Sequence, residues 1–185
     1  GQNARGARCA ENSHQAVGML LDLARLLVFP ALMAFAASSD LLTMRISNRV
    51  SILLAIGFGG LAAATGMPFG AVLGHLSAAL LVLAVGFAFF ARGWIGGADA
   101  KLAAAAALWL GWGGLYDYFL CTSLLGGWLT LALIEFRQCV LPPLLVGSAW
   151  IERLHRTDGG VPYGIALAAA ALVIYPTTPW MGPLG

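Results

Sequence analysis

Asp40 and Asp99 are the residues whose type and setting point to chemistry. Asp40 stands in "AFAASSDLLTMRISNRVS", where an apolar run ends. Asp99 stands in "ARGWIGGADAKLAAAAALWLGW", directly ahead of a long apolar run. Carboxylates at such places are costly. Two of them brought together near a lipid boundary cannot both ionise easily, so the pair tends to share one proton. One member then takes a proton from water while the other gives one to a substrate carbonyl. That is peptide hydrolysis of the aspartic-protease kind, which needs neither a metal nor a covalent intermediate. The glycines of "GWIGG" before Asp99 allow a substrate backbone to approach closely. Each acid also has a structural reading. Asp99 fits an N-cap, and Asp40 fits an interfacial charge paired with Arg45 or Arg49. Taken singly, each favours structure. A shared side of the membrane shifts the balance towards a site.

The elements that must position these acids follow from composition. Of 185 residues, 60% are hydrophobic and 10% charged, with a mean hydropathy of +0.85. A soluble domain carries roughly a quarter charged residues. The expected fold class is therefore all-α, a polytopic membrane helix bundle, with residues 19–185 as a single domain. Apolar runs predict about six transmembrane helices, over 19–39, 50–65, 69–91, 101–115, 118–136 and 162–175. Asp22 and Arg25 are spaced to pair in the opening turns of the first. Residues 139–160 hold a double proline and a cluster of charges, which suits a loop with an interfacial helix anchored by Trp150. Residues 1–18 are polar and lack apolar periodicity, so they read as a disordered or non-native tail. With no signal-peptide cleavage site evident, the first apolar segment is expected to stay as an anchor. Abundant Gly and Ala predict close helix packing.

Lysine and arginine orient the bundle. The first, third and fifth connections, with their flanks, hold Arg45, Arg49, Arg92, Lys101, Arg137, Arg153 and Arg156; "TGMP" and "GLYDY" hold none. The odd connections are thus expected in the cytoplasm, with Asp40 and Asp99 on that side at similar depth. Asp22 and Asp117 fall on the other side. The N-terminal tail, with Arg5 and Arg8, then lies outside, a mild exception to the rule. A net charge of +2 and the lack of a basic patch interleaved with aromatics argue against nucleic acid. Cys9, Cys121 and Cys139 form no CxxC, and no Cys or His group has zinc-ligand spacing. No metal and no cofactor are expected.

"SDLLTMRISNR", then "GGADAKLAAA", then "VPYGIALAAAAL" occur in an order that resembles the type IV prepilin peptidase family, closest to the short form of Tad/Flp pilus systems. The resemblance covers nearly the whole chain after Met19. It implies a membrane aspartic peptidase whose catalytic pair corresponds to Asp40 and Asp99. It further implies removal of a short basic leader from prepilins, just ahead of their apolar helix, at the cytoplasmic face of the bacterial inner membrane. Prepilin-like substrates and the lipid bilayer are the expected partners. Longer members carry a CxxC-bearing loop and N-methyltransferase activity; this chain lacks that loop, so only peptidase activity is expected. Two departures stand out. Ala98 replaces the second glycine of GxGD, at a cost of about 1 kcal/mol or more if that position needs a positive φ. Ile46-Ser47-Asn48 replaces Ile-Pro-Asn, which loosens a turn and removes no chemical group.

Secondary roles can be stated for several neighbours. Arg45 and Asn48 are placed to bond Asp40 or substrate backbone, and Arg45 equally to meet lipid phosphate. Lys101 suits lipid headgroups better than the acids. Gly96 and Gly97 shape the loop before Asp99. Pro162, Tyr163 and Gly164 break the chain before the last helix, with Tyr163 either leaning into the site or lying at the interface. His75 is expected between helices, and His155 needs no role. Two other functions remain open to the residues: an intramembrane GxGD protease cutting within helices, and an ion-coupled transporter or channel subunit. Against transport stand the lack of an inverted repeat and of acids in helix centres.

Overall fold

Backbone groups in lipid must be satisfied within the chain, and helices achieve this locally. The computed structural model describes residues 2–139, 148–156 and 159–182, with side chains from Gln15 on, and these residues form helices with no strand. In order they are α1 (Gln2–Thr43), α2 (Asn48–Ala64), α3 (Phe69–Ala91), α4 (Gly97–Gln138), α5 (Ala149–His155) and α6 (Tyr163–Ile174). Two 3-10 turns, Tyr175–Thr177 and Pro179–Met181, follow. The all-α bundle expected from composition is thus what forms.

Gln15–Thr43, Phe69–Ala91 and Gly97–Gln138 are long and apolar enough to cross a membrane, and Asn48–Ala64 and Tyr163–Thr177 are shorter apolar helices. The α1 backbone starts at Gln2, through a segment for which the sequence predicted no regular structure. Propagating an existing helix adds one bond per residue and needs no apolar face. Further along, the Asp22 carboxylate pairs with Arg25 at the expected spacing. Trp150 lies on the short α5 as foreseen. The double proline Pro142-Pro143 falls outside the described residues.

The fourth and fifth predicted segments share one 42-residue element, α4, broken at Gly111, where φ is 64° and ψ −173°. Straight, α4 would measure about 63 Å, twice the roughly 30 Å hydrocarbon thickness. Asp99 and Thr122 would then lie about 35 Å apart, yet both line one cavity. The chain therefore folds back at Gly111, giving legs over 97–110 and 112–138. The reversal comes earlier than the predicted gap after residue 115, and Asp117 sits on the second leg rather than in a loop. With that hairpin, six apolar legs accord with about six spans. Only glycine occupies such a backbone region readily, and a Cβ there would come within 2.9 Å of His75. Carbonyls freed at the break find partners: His75 Nδ1 donates to Leu108 O at 2.8 Å and Trp180 Nε1 to Trp109 O at 2.9 Å. His75 thus lies between helices, as the sequence suggested, and secures this turn.

Around the turn lies an aromatic core. Phe29 stacks on Tyr175 at 4.5 Å and tilts against Trp109 at 5.2 Å. Trp109 Nε1 donates to Leu54 O, and the Tyr175 hydroxyl to Arg25 O. These bonds and ring contacts tie α1, α2, α4 and the 3-10 turn at Tyr175 together at one end of the bundle. Along α3 and α4 the packing is small against small: a Cβ on Gly86 would stand 3.0 Å from that of Ala100.

Candidate active site

At the opposite end, α1 finishes one turn after Asp40. Met44 adopts a left-handed φ of 51°, and its N–H closes on Asp40 O at 2.8 Å. Ser39 Oγ and Thr43 Oγ1 both donate to Arg45 O, at 2.9 and 3.1 Å. Arg153 of α5 donates to Leu42 O at 2.6 Å, and Arg137 reaches Leu154 O and Gly160 O. The short α5 thereby braces the end of α1. Ser47, where the family often has proline, caps α2 by accepting the Arg49 N–H, so the turn keeps a device of its own.

Asp40 is only 5% exposed. Its carboxylate faces the N-terminus of α6, where the Gly164 and Ile165 amides are its backbone donors. Oδ2 is buried and has no partner in hydrogen-bond geometry. A Cβ on Gly164 would lie 2.7 Å from that same oxygen and would collide with Ile46. Gly164 is thus the close approach that lets α6 meet Asp40. Pro162, whose missing N–H costs nothing at a helix start, is the N-cap residue of α6.

Asp99 is the third residue of α4, after N-cap Gly96. Its carboxylate turns back to the Gly96 N–H, the reciprocal half of a capping box. A Cβ on Gly96 would stand 2.9 Å from Asp99 Oδ2. Gly97 packs on the Phe90 ring. Ala98 has no positive φ, being an ordinary helical residue, so the departure from GxGD carries no strain.

The two acids come together. Asp40 and Asp99 line one cavity of about 470 Å³ with Arg45, Gly96, Gly97 and Ala98, and their charges act on each other directly. Tyr163 faces Asp99 from α6 and lines an adjoining cavity with it. Its ring occupies the space a Cβ on Gly126 would need. Asn48 and Lys101 stand apart: Lys101 Nζ donates to Asn48 Oδ1 at 3.0 Å, and both line a separate groove. His155 meets the Phe136 ring edge-on. Among the described residues no three His, Cys, Asp or Glu side chains converge as a metal site. Sequence reasoning missed Met44, Thr122 and Gly126. The only signal was Gly126-Gly127 inside an apolar run, which reads equally as helix packing.

The described residues thus form a helical bundle with two carboxylates lining one cavity at one end. Residues 27–131, more than half of the chain and both acids included, match the type IV leader peptidase family. The chain belongs to that family and is a peptidase of the leader-peptidase type. No curated protein and no solved structure matches it.

Proposed function

We propose that this chain is an aspartic endopeptidase that removes the leader of type IV, Flp-like prepilins at the cytoplasmic face of the bacterial inner membrane. One observation carries the reading: Asp40 and Asp99, distant in sequence, line one cavity at the end of the bundle where the arginines gather. Residues 19–185 act as the peptidase unit. The precursor lies along the bundle with its apolar helix in lipid and its leader junction unwound at the boundary. The aspartate pair, holding one proton between its members, activates a water. The ionised carboxylate takes a proton as the water oxygen attacks the scissile carbonyl; the protonated one gives its proton to the carbonyl oxygen. Collapse of the tetrahedral species passes a proton to the leaving amine. Arg45, on the cavity wall, pairs with substrate carbonyls, while Gly96, Gly97 and Ala98 leave room for its backbone. Tyr163 holds Asp99 from the side, and Pro162 and Gly164 set α6 against Asp40. The family match favours this reading over ion transport.

The test is direct. Purified protein in detergent is incubated with a pilin-like precursor, and the products are weighed by mass spectrometry. The expected result is one cut just ahead of the apolar helix. A cut within the helix would identify an intramembrane protease instead, and no cut at all would contradict the proposal.

A further inference from the structure

Lys101 follows Asp99 by two residues, yet it opens onto a different face of the bundle. There α2 and α3 both pack on α4 but hardly on each other. The gap between them is a groove of about 450 Å³, within the roughly 300–1,000 Å³ of ligand pockets. Ala55, Ala79, Ala104 and Ala105 line it and leave it open. Ile52 stands on its α2 side and Leu80 on its α3 side, 56% and 64% exposed. Along α4 the groove runs from Lys101 to Leu108, about 10 Å. Its polar side chains, Asn48, Ser51 and Lys101, all lie in the first two turns of α2 and α4, at the aspartate end; the rest of its wall is apolar. Lys101 Nζ uses one of its three donors on Asn48 Oδ1 at 3.0 Å. Among the described residues no carboxylate lines the groove.

We infer that this groove holds one anionic phospholipid, its phosphate on Lys101 and one acyl chain laid between α2 and α3. A cationic, polar mouth joined to an apolar trough complements an anionic head on an apolar tail. Basic clefts between membrane helices hold acidic headgroups. The two remaining Nζ donors and the Ser51 hydroxyl meet the phosphate oxygens. A zwitterionic head fits less well, because it sets a second cation beside Lys101. The seated lipid fills the gap that α2 and α3 leave and ties the start of α2 to the start of α4. This inference concerns lipid alone and stands apart from the peptidase reading.

For the test, the full chain in neutral detergent is titrated with phosphatidylglycerol, or with phosphatidylcholine of the same acyl chains. Binding is read by native mass spectrometry and by the thermal transition. One phosphatidylglycerol is expected to stay bound, about tenfold more tightly than phosphatidylcholine, the scale of one hydrogen bond to a charged group, and to raise the transition temperature. Lys101→Gln should abolish that preference. Arg92→Gln removes the same charge at the same end of the bundle but outside the groove, and should keep it. Leu80→Trp narrows the trough and should weaken binding of both lipids. Ile52→Trp does so from α2 and replaces it if the first variant shows no thermal transition in lipid-free detergent. Equal binding of the two lipids by the parent chain would overturn the inference. So would an unchanged preference in Lys101→Gln, unchanged binding in a folded tryptophan variant, or an equal loss in Arg92→Gln, the mark of general surface charge. Inorganic phosphate protecting as well as phosphatidylglycerol would also overturn it, showing an anion site in which the acyl chain has no part.

Discussion

Gly164 and Ala98 are both small residues beside the carboxylates, and their environments set opposite expectations. At Gly164 a methyl group would press on Asp40 Oδ2 and Ile46. Gly164→Ala should destabilise the protein by about 1–3 kcal/mol, as overpacking does, and lower kcat/KM sharply because α6 is pushed off Asp40. Thermal unfolding in detergent and peptide cleavage, read together, check this. Ala98 sits in plain helical backbone, so Ala98→Gly should leave cleavage unchanged and cost about 0.5–1 kcal/mol of stability. At this scale much of the site was legible. Asp40 and Asp99 stood out as candidates because carboxylates at the ends of apolar runs are costly, and Gly164 only as part of a break before the last helix. Gly126 was not legible, because a glycine among apolar residues looks the same whether it packs on a helix or makes room for the Tyr163 ring. Asn48 and Lys101 looked close to the acids along the chain, but their helix faces turn them towards each other.

Among the elements, the α4 hairpin decides whether Asp99 and Thr122 share a cavity. Its turn depends on Gly111, where residues with a Cβ meet both a forbidden backbone region and His75. Gly111→Ala should cost about 1–3 kcal/mol. His75→Ala should cost about 1–3 kcal/mol by leaving Leu108 O unpaired. Unfolding curves that show no loss for either variant would contradict this account of the turn. Helix existence was readable from apolar runs alone, since lipid leaves few other choices. The position of the reversal was not: "LWLGWGGLYDY" holds three glycines and a charge, and any of them suits a break. The partners that chose Gly111, His75 and Trp180, come from other parts of the chain.

For the molecule as a whole, basic residues crowd the end that carries the aspartates. The positive-inside bias predicts that this end faces the cytoplasm. In a chain whose three cysteines are replaced by serine, single cysteines at Arg45 and Arg92 should react with an impermeant thiol reagent only from the cytoplasmic side. One at Thr65 should react only from the other side. The reverse pattern would move the site to the outer face. The central claim is that Asp40 and Asp99 act on one peptide bond. Its most direct measurement is the cleavage rate of a pilin-like precursor by the purified parent chain and by Asp40→Asn and Asp99→Asn, each shown to be folded by its thermal transition. The account predicts that each variant loses at least about a hundredfold in kcat, the scale of acid–base catalysis, and that the double variant loses little more. Either folded single variant cutting at the parent rate would contradict it.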